Sequence, residues 1–364
     1  MKNKYNKIYW QIPVVVVVLI AVYYFFGWDI GAGLHKENTA YDMAELTGMV
    51  GEQIDAGKSS GTFYIGEDIT EDDLMNINDN VCSINGSVDK YSILERGRNG
   101  KKVLLVYTIS DNYYVYQKYI NGNGIPGDRP QAIKLYDKVC SILDEYITDD
   151  MSDYDKELAI HDYIVKNCVY GYTDYSKEYA YRAYGALVQN KAVCNGYAEA
   201  MALLLGCAGV ENGIMTGYAD GDLHAWNRVL IDGKWYQVDA TWDDPIPDRG
   251  SFVGHMYFNV TDDIMDDSHS WDKEQFEVCD SMDYNYFELN NLICDYDEFK
   301  NVVKSAAQKD ITATIEVVLT DYSDDKYNYE FMQDIQGLMY FQRSKDVEEY
   351  GPYRFITLYL NQRD

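Results

Sequence analysis

Apolar positions along this 364-residue chain fall into distinct patterns, each predicting a different element. From Ile12 to Phe26 the run is almost unbroken; extended to Ile8 and Ile30 it is long enough to cross a bilayer. Helical spacing predicts helices over 39–54, 71–81, 131–147 and 153–167, while alternation predicts strands over 91–95, 103–110 and 113–120. Residues 196–207 are apolar nearly all round (Ala198, Met201, Ala202, Leu203, Leu204, Leu205), the pattern of a buried helix, with Gly209 placed to end it. Two strand-like runs follow, 224–231 and 234–241, separated by Asp232-Gly233, a strong signal for a two-residue hairpin. Beyond residue 280 the pattern changes to helix (296–307), strand (311–319), helix (329–340) and strand (353–360).

The hairpin brings chemistry together. A turn at Asp232-Gly233 sets Trp226 opposite Asp239 and His224 opposite Thr241. His224 and Asp239 then become diagonal neighbours on one face, roughly 7–8 Å apart at the backbone. The same register sends Ala225, Val229, Ile231, Tyr236, Val238 and Ala240 to the opposite, apolar face, and a one-residue slip would reverse both sets. Upstream, Cys194 stands at the start of the buried helix, where the helix dipole and open N–H groups favour negative charge. A cysteine nucleophile needs a base beside it and a group that orients the base; Cys194, His224 and Asp239 supply those roles in order. The Cys194 N–H would help hold an oxyanion, with Gln189 as a candidate second donor. His161, inside a predicted helix, and His255 and His269, after the hairpin, read as architectural.

These residues lie in Ala183-Tyr184-Gly185-Ala186-Leu187, Cys194-Asn195-Gly196-Tyr197-Ala198, His224-Ala225-Trp226-Asn227 and Val238-Asp239-Ala240-Thr241-Trp242-Asp243-Asp244-Pro245. Together they resemble the transglutaminase-like superfamily, and most of all bacterial members related to the cytokinesis-type transglutaminase/protease-like proteins. The motif-dense part runs from about Asp153 to about Trp271 and includes His255-Met256-Tyr257-Phe258-Asn259-Val260-Thr261-Asp262, which resembles a strand following the triad. The resemblance implies an α+β fold with a papain-like core, a nucleophile helix packed on an antiparallel sheet carrying His and Asp. It also implies Cys194 as nucleophile, His224 as base and acid, and Asp239 as orienter. Small α/β modules flank that core. The expected layout is a cytoplasmic tip and anchor (1–30), a juxtamembrane segment (31–61), an N-terminal α/β module (62–125), the catalytic domain (126–279) and a C-terminal α/β module (280–364).

Lys2, Lys4 and Lys7, with Trp10 and Trp28 at the two interfaces, orient the first apolar run as a signal anchor, read as uncleaved with a cleaved signal peptide as the alternative. The rest of the chain is then expected outside the cell membrane. A net charge of −29 argues against nucleic acid and anionic lipid surfaces as partners of that ectodomain. Seven cysteines show no metal-ligand spacing and name no disulfide pairing; Cys207, within the buried helix, reads as a free thiol. The acidic pairs Asp243-Asp244, Asp262-Asp263 and Asp266-Asp267 lack a regular calcium loop and read as solvated surface, so no metal or cofactor is expected. The expected function is a cell-surface cysteine enzyme acting on peptide or protein amides, with cell-wall-associated substrates in view. The alternative is a binding module on the same scaffold that contacts wall or protein partners without turnover.

Overall fold

The computed structural model describes residues 39–56, 58, 60–66, 69–70, 88–96, 102–173, 177, 179–246, 252–327, 329–343 and 347–362. The expected anchor, the 71–81 helix and the turn at Asn99-Gly100 lie outside them. Among the described residues no helix is long and apolar enough to cross a membrane.

The chain divides into two compact units, one drawn from residues up to 77 with 91–107, the other from 78–90 with 108–364. In the first, helix α1 (Met43–Asp55) follows β1 (Thr39–Ala40) and precedes β2 (Ser60–Ile65). Asp42 caps the helix by accepting from the Glu45 N–H. With β3 (Val88–Arg96) and β4 (Lys102–Ile109) these strands form a sheet in the order β1-β2-β4-β3. The segment expected to be juxtamembrane thus supplies β1 and the first two residues of β2 to the same sheet as the segment after it.

The second unit begins with a correction. Residues 113–120, expected as a strand, lie in helix α2 (Asp111–Asn121). Ser110 caps it by accepting from the Tyr113 N–H, and Gly122 closes it in the left-handed region. The tyrosine-rich alternation mimics a strand, but a cap at each end and burial of Asn112, Tyr113 and Val115 favour the helix. Helices α3 (Pro130–Tyr146) and α4 (Asp153–Asn167) follow, the second held by a capping box between Ser152 and Asp155. Two short strands, β5 (Val169–Tyr170) and β6 (Lys191–Ala192), pair in parallel around helix α5 (Ala183–Val188). Helix α6 (Cys194–Cys207) then runs through the core, with Tyr197, Met201, Leu204 and Leu205 almost wholly excluded from solvent.

Against α6 lies an antiparallel sheet in the order β10-β7-β8-β9. Its strands are β7 (Asn212–Ala219), β8 (Asp222–Ile231), β9 (Lys234–Val238) and β10 (His269–Ser270). The β8–β9 pairs run from Ile231 opposite Lys234 to Asn227 opposite Val238, the register that an Asp232-Gly233 turn dictates. Both turn residues have positive φ, 49° and 77°, as the tight hairpin twist requires. Ala225, Val229, Ile231, Tyr236 and Val238 are buried, and Ala225 packs with Ala198 and Ala202 of α6.

Residues 255–262 are not a strand: only a single bridge, Gln237 to Val260, ties them to the sheet before the short helix α7 (Asp262–Met265). Side-chain and loop hydrogen bonds occupy the backbone there instead, including Tyr257 N–H to Asp243 Oδ1 at 2.9 Å. After helix α8 (Tyr286–Leu289), the remaining chain forms β11 (Ile293–Cys294), helix α9 (Tyr296–Lys309), β12 (Thr314–Leu319), β13 (Leu338–Arg343), β14 (Glu348–Tyr350) and β15 (Tyr353–Gln362). The helix expected over 329–340 is a 3₁₀ turn (Glu330–Asp334) leading into β13, which pairs with β15. Partner strands, absent from any local reading, decide that outcome.

Candidate active site

Cys194 opens α6 because the chain before it is pinned. The Val193 N–H donates to the Ala180 carbonyl at 2.9 Å, and the Gly171 N–H donates to the Ala192 carbonyl at 2.7 Å. Val193 has no side chain able to cap, so no capping group takes up the N–H of Cys194 or Asn195. The positive pole of the helix therefore lies beside the Cys194 thiol, where it favours negative charge.

One turn along, Glu199 is 4% exposed and ties this helix end to its surroundings. Its carboxylate accepts from Asn112 Nδ2 at 3.0 Å, Arg182 Nη1 at 2.9 Å, the Ala183 N–H at 3.1 Å and Asn195 Nδ2 at 3.1 Å. Sequence reading passed over it, since a lone acid in an apolar helix shows none of these partners. The Tyr197 hydroxyl donates to Asp244 Oδ2 at 2.5 Å, anchoring the next residue pair.

The sheet presents the base. His224 Nε2 donates to Asp239 Oδ2 at 2.6 Å, and Asp239, just past β9, is fully buried. Asp239 Oδ1 accepts the backbone N–H groups of Thr241 at 2.8 Å and Trp242 at 3.2 Å. A second imidazole completes the set: His269 Nε2 donates to the same Oδ2 at 3.1 Å. His269 Nδ1 in turn lies 2.8 Å from Ser268 Oγ, which contacts the Tyr257 hydroxyl at 3.1 Å. With Nε2 committed as donor, His269 Nδ1 is the acceptor of the Ser268 hydroxyl. Sequence reading assigned His269 to architecture; only the pairing of β10 with β7, His269 opposite Ala219, brings it here.

Burial opposes charge on His224, but the Asp239 hydrogen bond and negative charge outweigh it. The Cys194 thiol, within hydrogen-bonding reach, adds to them, and the ring is pushed up to about 10. Burial likewise opposes ionisation of Asp239, and His224 and His269 together hold its carboxyl well below the usual range. Trp226 stacks near His224 with ring centres 6.0 Å apart, and Trp242 packs on His269 at 4.7 Å. These rings pack against the two imidazoles that hold the buried Asp239 carboxylate.

Cys194 and His224 face an open cleft of about 690 Å³ walled by Tyr181, Asn195, Tyr218 and Trp271. Leu223 and His224 separate it from a second depression of about 470 Å³ that contains Asp220, Asp222, Trp242 and Ile246. Gln189 is the misplaced candidate. It is exposed at the C-terminal cap of α5, where its own N–H is taken by Tyr184, and it does not line the cleft. Asp243 and Asp244, expected in solvent, are 3% and 6% exposed because backbone N–H, imidazole and phenol donors satisfy them. The donor atoms of His224, Asp239 and His269 lie within 4.8 Å of one another. They would hold a metal ion only by giving up the hydrogen bonds that orient His224.

Residues 141–240 match the family model of the transglutaminase-like superfamily. Kyphoscoliosis peptidase from Homo sapiens is 28% identical over 115 residues, which is 25% of this chain and 17% of that protein. Its Mus musculus counterpart is 27% identical over the same length. The match therefore spans about a sixth of these relatives. A solved structure described as that of a TGase is 19% identical, covering 50% of this chain and 51% of that chain, with a TM-score of 0.27. The fold is α+β, and residues 141–240, which supply Cys194, His224 and Asp239, form a transglutaminase-like domain.

Proposed function

We propose that this protein is a cysteine enzyme that cleaves or transfers the acyl group of peptide and protein amides, with hydrolysis favoured. The observation that carries this reading is the line from Asp239 through His224 to Cys194 at the head of a buried helix, open to a cleft. The Cys194 sulfur, its proton held by His224, attacks the amide carbonyl. The resulting oxyanion develops beside the N–H groups at the helix start. His224 then gives its proton to the departing amine, leaving a thioester on Cys194. Water, deprotonated by the same ring, releases the acid and restores the thiol. An incoming amine in place of water would give transfer instead. Hydrolysis is slightly favoured because water is always present and the cleft is open to solvent.

The lysines and tryptophans around the first apolar run support an anchored chain with its catalytic part outside the cell. Protease treatment of intact cells tests this: digestion of the catalytic part without lysis is expected, and full protection would remove the cell-surface assignment.

The primary test is iodoacetamide alkylation of the full chain at about pH 7, read by mass spectrometry at every cysteine. Cys194 is expected to label fastest, and His224→Ala to slow it by about tenfold or more. Labelling of Cys194 at the rate of an ordinary thiol, indifferent to His224, would favour a binding scaffold without turnover.

A further inference from the structure

A second imidazole–carboxylate cluster lies outside the proposed catalytic line. His161 and Asp162 come from α4, and His255 from the loop before α7. Asp162 Oδ1 stands 3.1 Å from His161 Nδ1 and 3.0 Å from His255 Nε2, and the three atoms all lie within 4.8 Å of one another. Two ligand atoms bound tetrahedrally to one zinc ion at about 2.0–2.1 Å sit about 3.3 Å apart. Small side-chain shifts, with release of the protons that now bridge each ring to Asp162, would therefore admit an ion between them.

The far side of each ring is also occupied in the way a metal site requires. His161 Nε2 meets Asp243 Oδ2 at 3.1 Å, and His255 Nδ1 lies 3.7 Å from Glu316 Oε2. The His255 ring is further fixed by stacking on Tyr286, centre to centre 3.8 Å and 3° from parallel. Carboxylates on the distal nitrogens select the tautomer and strengthen the proximal nitrogens as donors. Three carboxylates thus surround two imidazoles that are almost wholly buried, an environment short of positive charge unless protons or a cation supply it. The Asp162 side chain is 41% exposed, which leaves a path from solvent.

We propose that His161, Asp162 and His255 form a binding site for a divalent transition-metal ion, of which zinc fits the two-nitrogen, one-oxygen donor set. Calcium and magnesium do not, since they take oxygen ligands. The role is structural. The ion would join α4 to the loop that holds Asp243, and the Asp243 N–H donates to the Asp239 carbonyl at 3.1 Å. Sequence spacing hides the site because its ligands come from a helix and a loop far apart in the chain.

The test uses the full chain carrying Cys194→Ser, so that the thiol captures no metal, after chelator treatment. Zinc titration by calorimetry, with cobalt absorption as a spectroscopic probe, is expected to show one ion per chain and a raised Tm. Asp162→Asn and His255→Gln are expected to weaken binding by about tenfold or more and abolish the Tm rise, while circular dichroism confirms that both fold. Adding His224→Ala is expected to leave binding unchanged. Absence of stoichiometric binding overturns the proposal. So does binding that survives Asp162→Asn and His255→Gln but is lost with His224→Ala, which would move the ion to the catalytic cluster.

Discussion

Asp239 satisfies both carboxylate oxygens with four donors while fully buried, and that saturation determines how its neighbours respond to change. Removing His269 leaves the pairing with His224 in place but takes one donor from the shared oxygen, freeing the carboxylate to tilt. A hydrogen bond to a charged group contributes about 1.5–3 kcal/mol, so His269→Ala is expected to lower kcat by about 10- to 100-fold with little change in KM. His269→Gln, which can still donate, should recover part of the loss; equal loss of kcat and substrate affinity in both variants would argue for a collapsed cleft instead. Glu157 makes a different case. It is wholly buried, accepts from Asn259 Nδ2 at 2.7 Å, and leaves its Oε1 and Asn259 Oδ1 without partners. Burial pushes its carboxyl up to about 8, and a proton on Oε1 would be a donor where both orphaned oxygens now lack one. With the folded pKa raised, the folded state holds more protons than the unfolded state between about 4.5 and 8. The stability contributed is full below that window and is lost as pH rises through it. Glu157→Gln should match the parent in urea unfolding near pH 5 and exceed it near pH 9 by on the order of a few kcal/mol. A parent no less stable at pH 9 than the variant would contradict this. Neither Glu157 nor His269 announces its role in sequence, because each depends on partners more than 25 positions away.

At the scale of elements, two pieces of the site were readable from the chain and their junction was not. The hairpin was readable because Asp232-Gly233 fixes the turn and alternation fixes the faces. The buried helix was readable because apolar residues occupy every side of it. How closely the start of that helix is held follows only from packing. A Cβ on Gly196 would collide with the Ala180 carbonyl oxygen, which belongs to the backbone brace that positions Cys194, and would lie 2.7 Å from the Ala192 methyl group. Gly196→Ala must therefore push the helix start away from its brace. The expected cost is about 1–3 kcal/mol in denaturant unfolding, together with slower Cys194 alkylation than stability loss alone explains. An unchanged alkylation rate would mean that the brace does not set the position of the thiol. Two of the misread elements share one cause: residues 113–120 and 338–343 have local patterns compatible with both helix and strand. A cap and core burial decided the first, and a β15 partner decided the second.

At the scale of the whole molecule, charge is the property that sequence reports most directly and local structure least. The net charge of −29 belongs to no single site, yet Asp272 lines the main cleft and Asp220 and Asp222 line its neighbour, so the negative potential extends to where substrate must enter. The His224–Asp239 pair is shielded from this field by burial and aromatic packing, whereas an approaching peptide is not. Added salt should accordingly act on encounter and leave the chemical step alone. With the Debye length falling from about 14 Å at 0.05 M to about 4 Å at 0.5 M, long-range attraction at the cleft mouth is largely removed. For matched peptide amides, kcat/KM on a lysine-bearing substrate should fall by about threefold or more over that range. The neutral counterpart should change little, and kcat should hold for both. Parallel curves for the two peptides would show that the acidic surface does not select substrates and serves the protein's solubility alone.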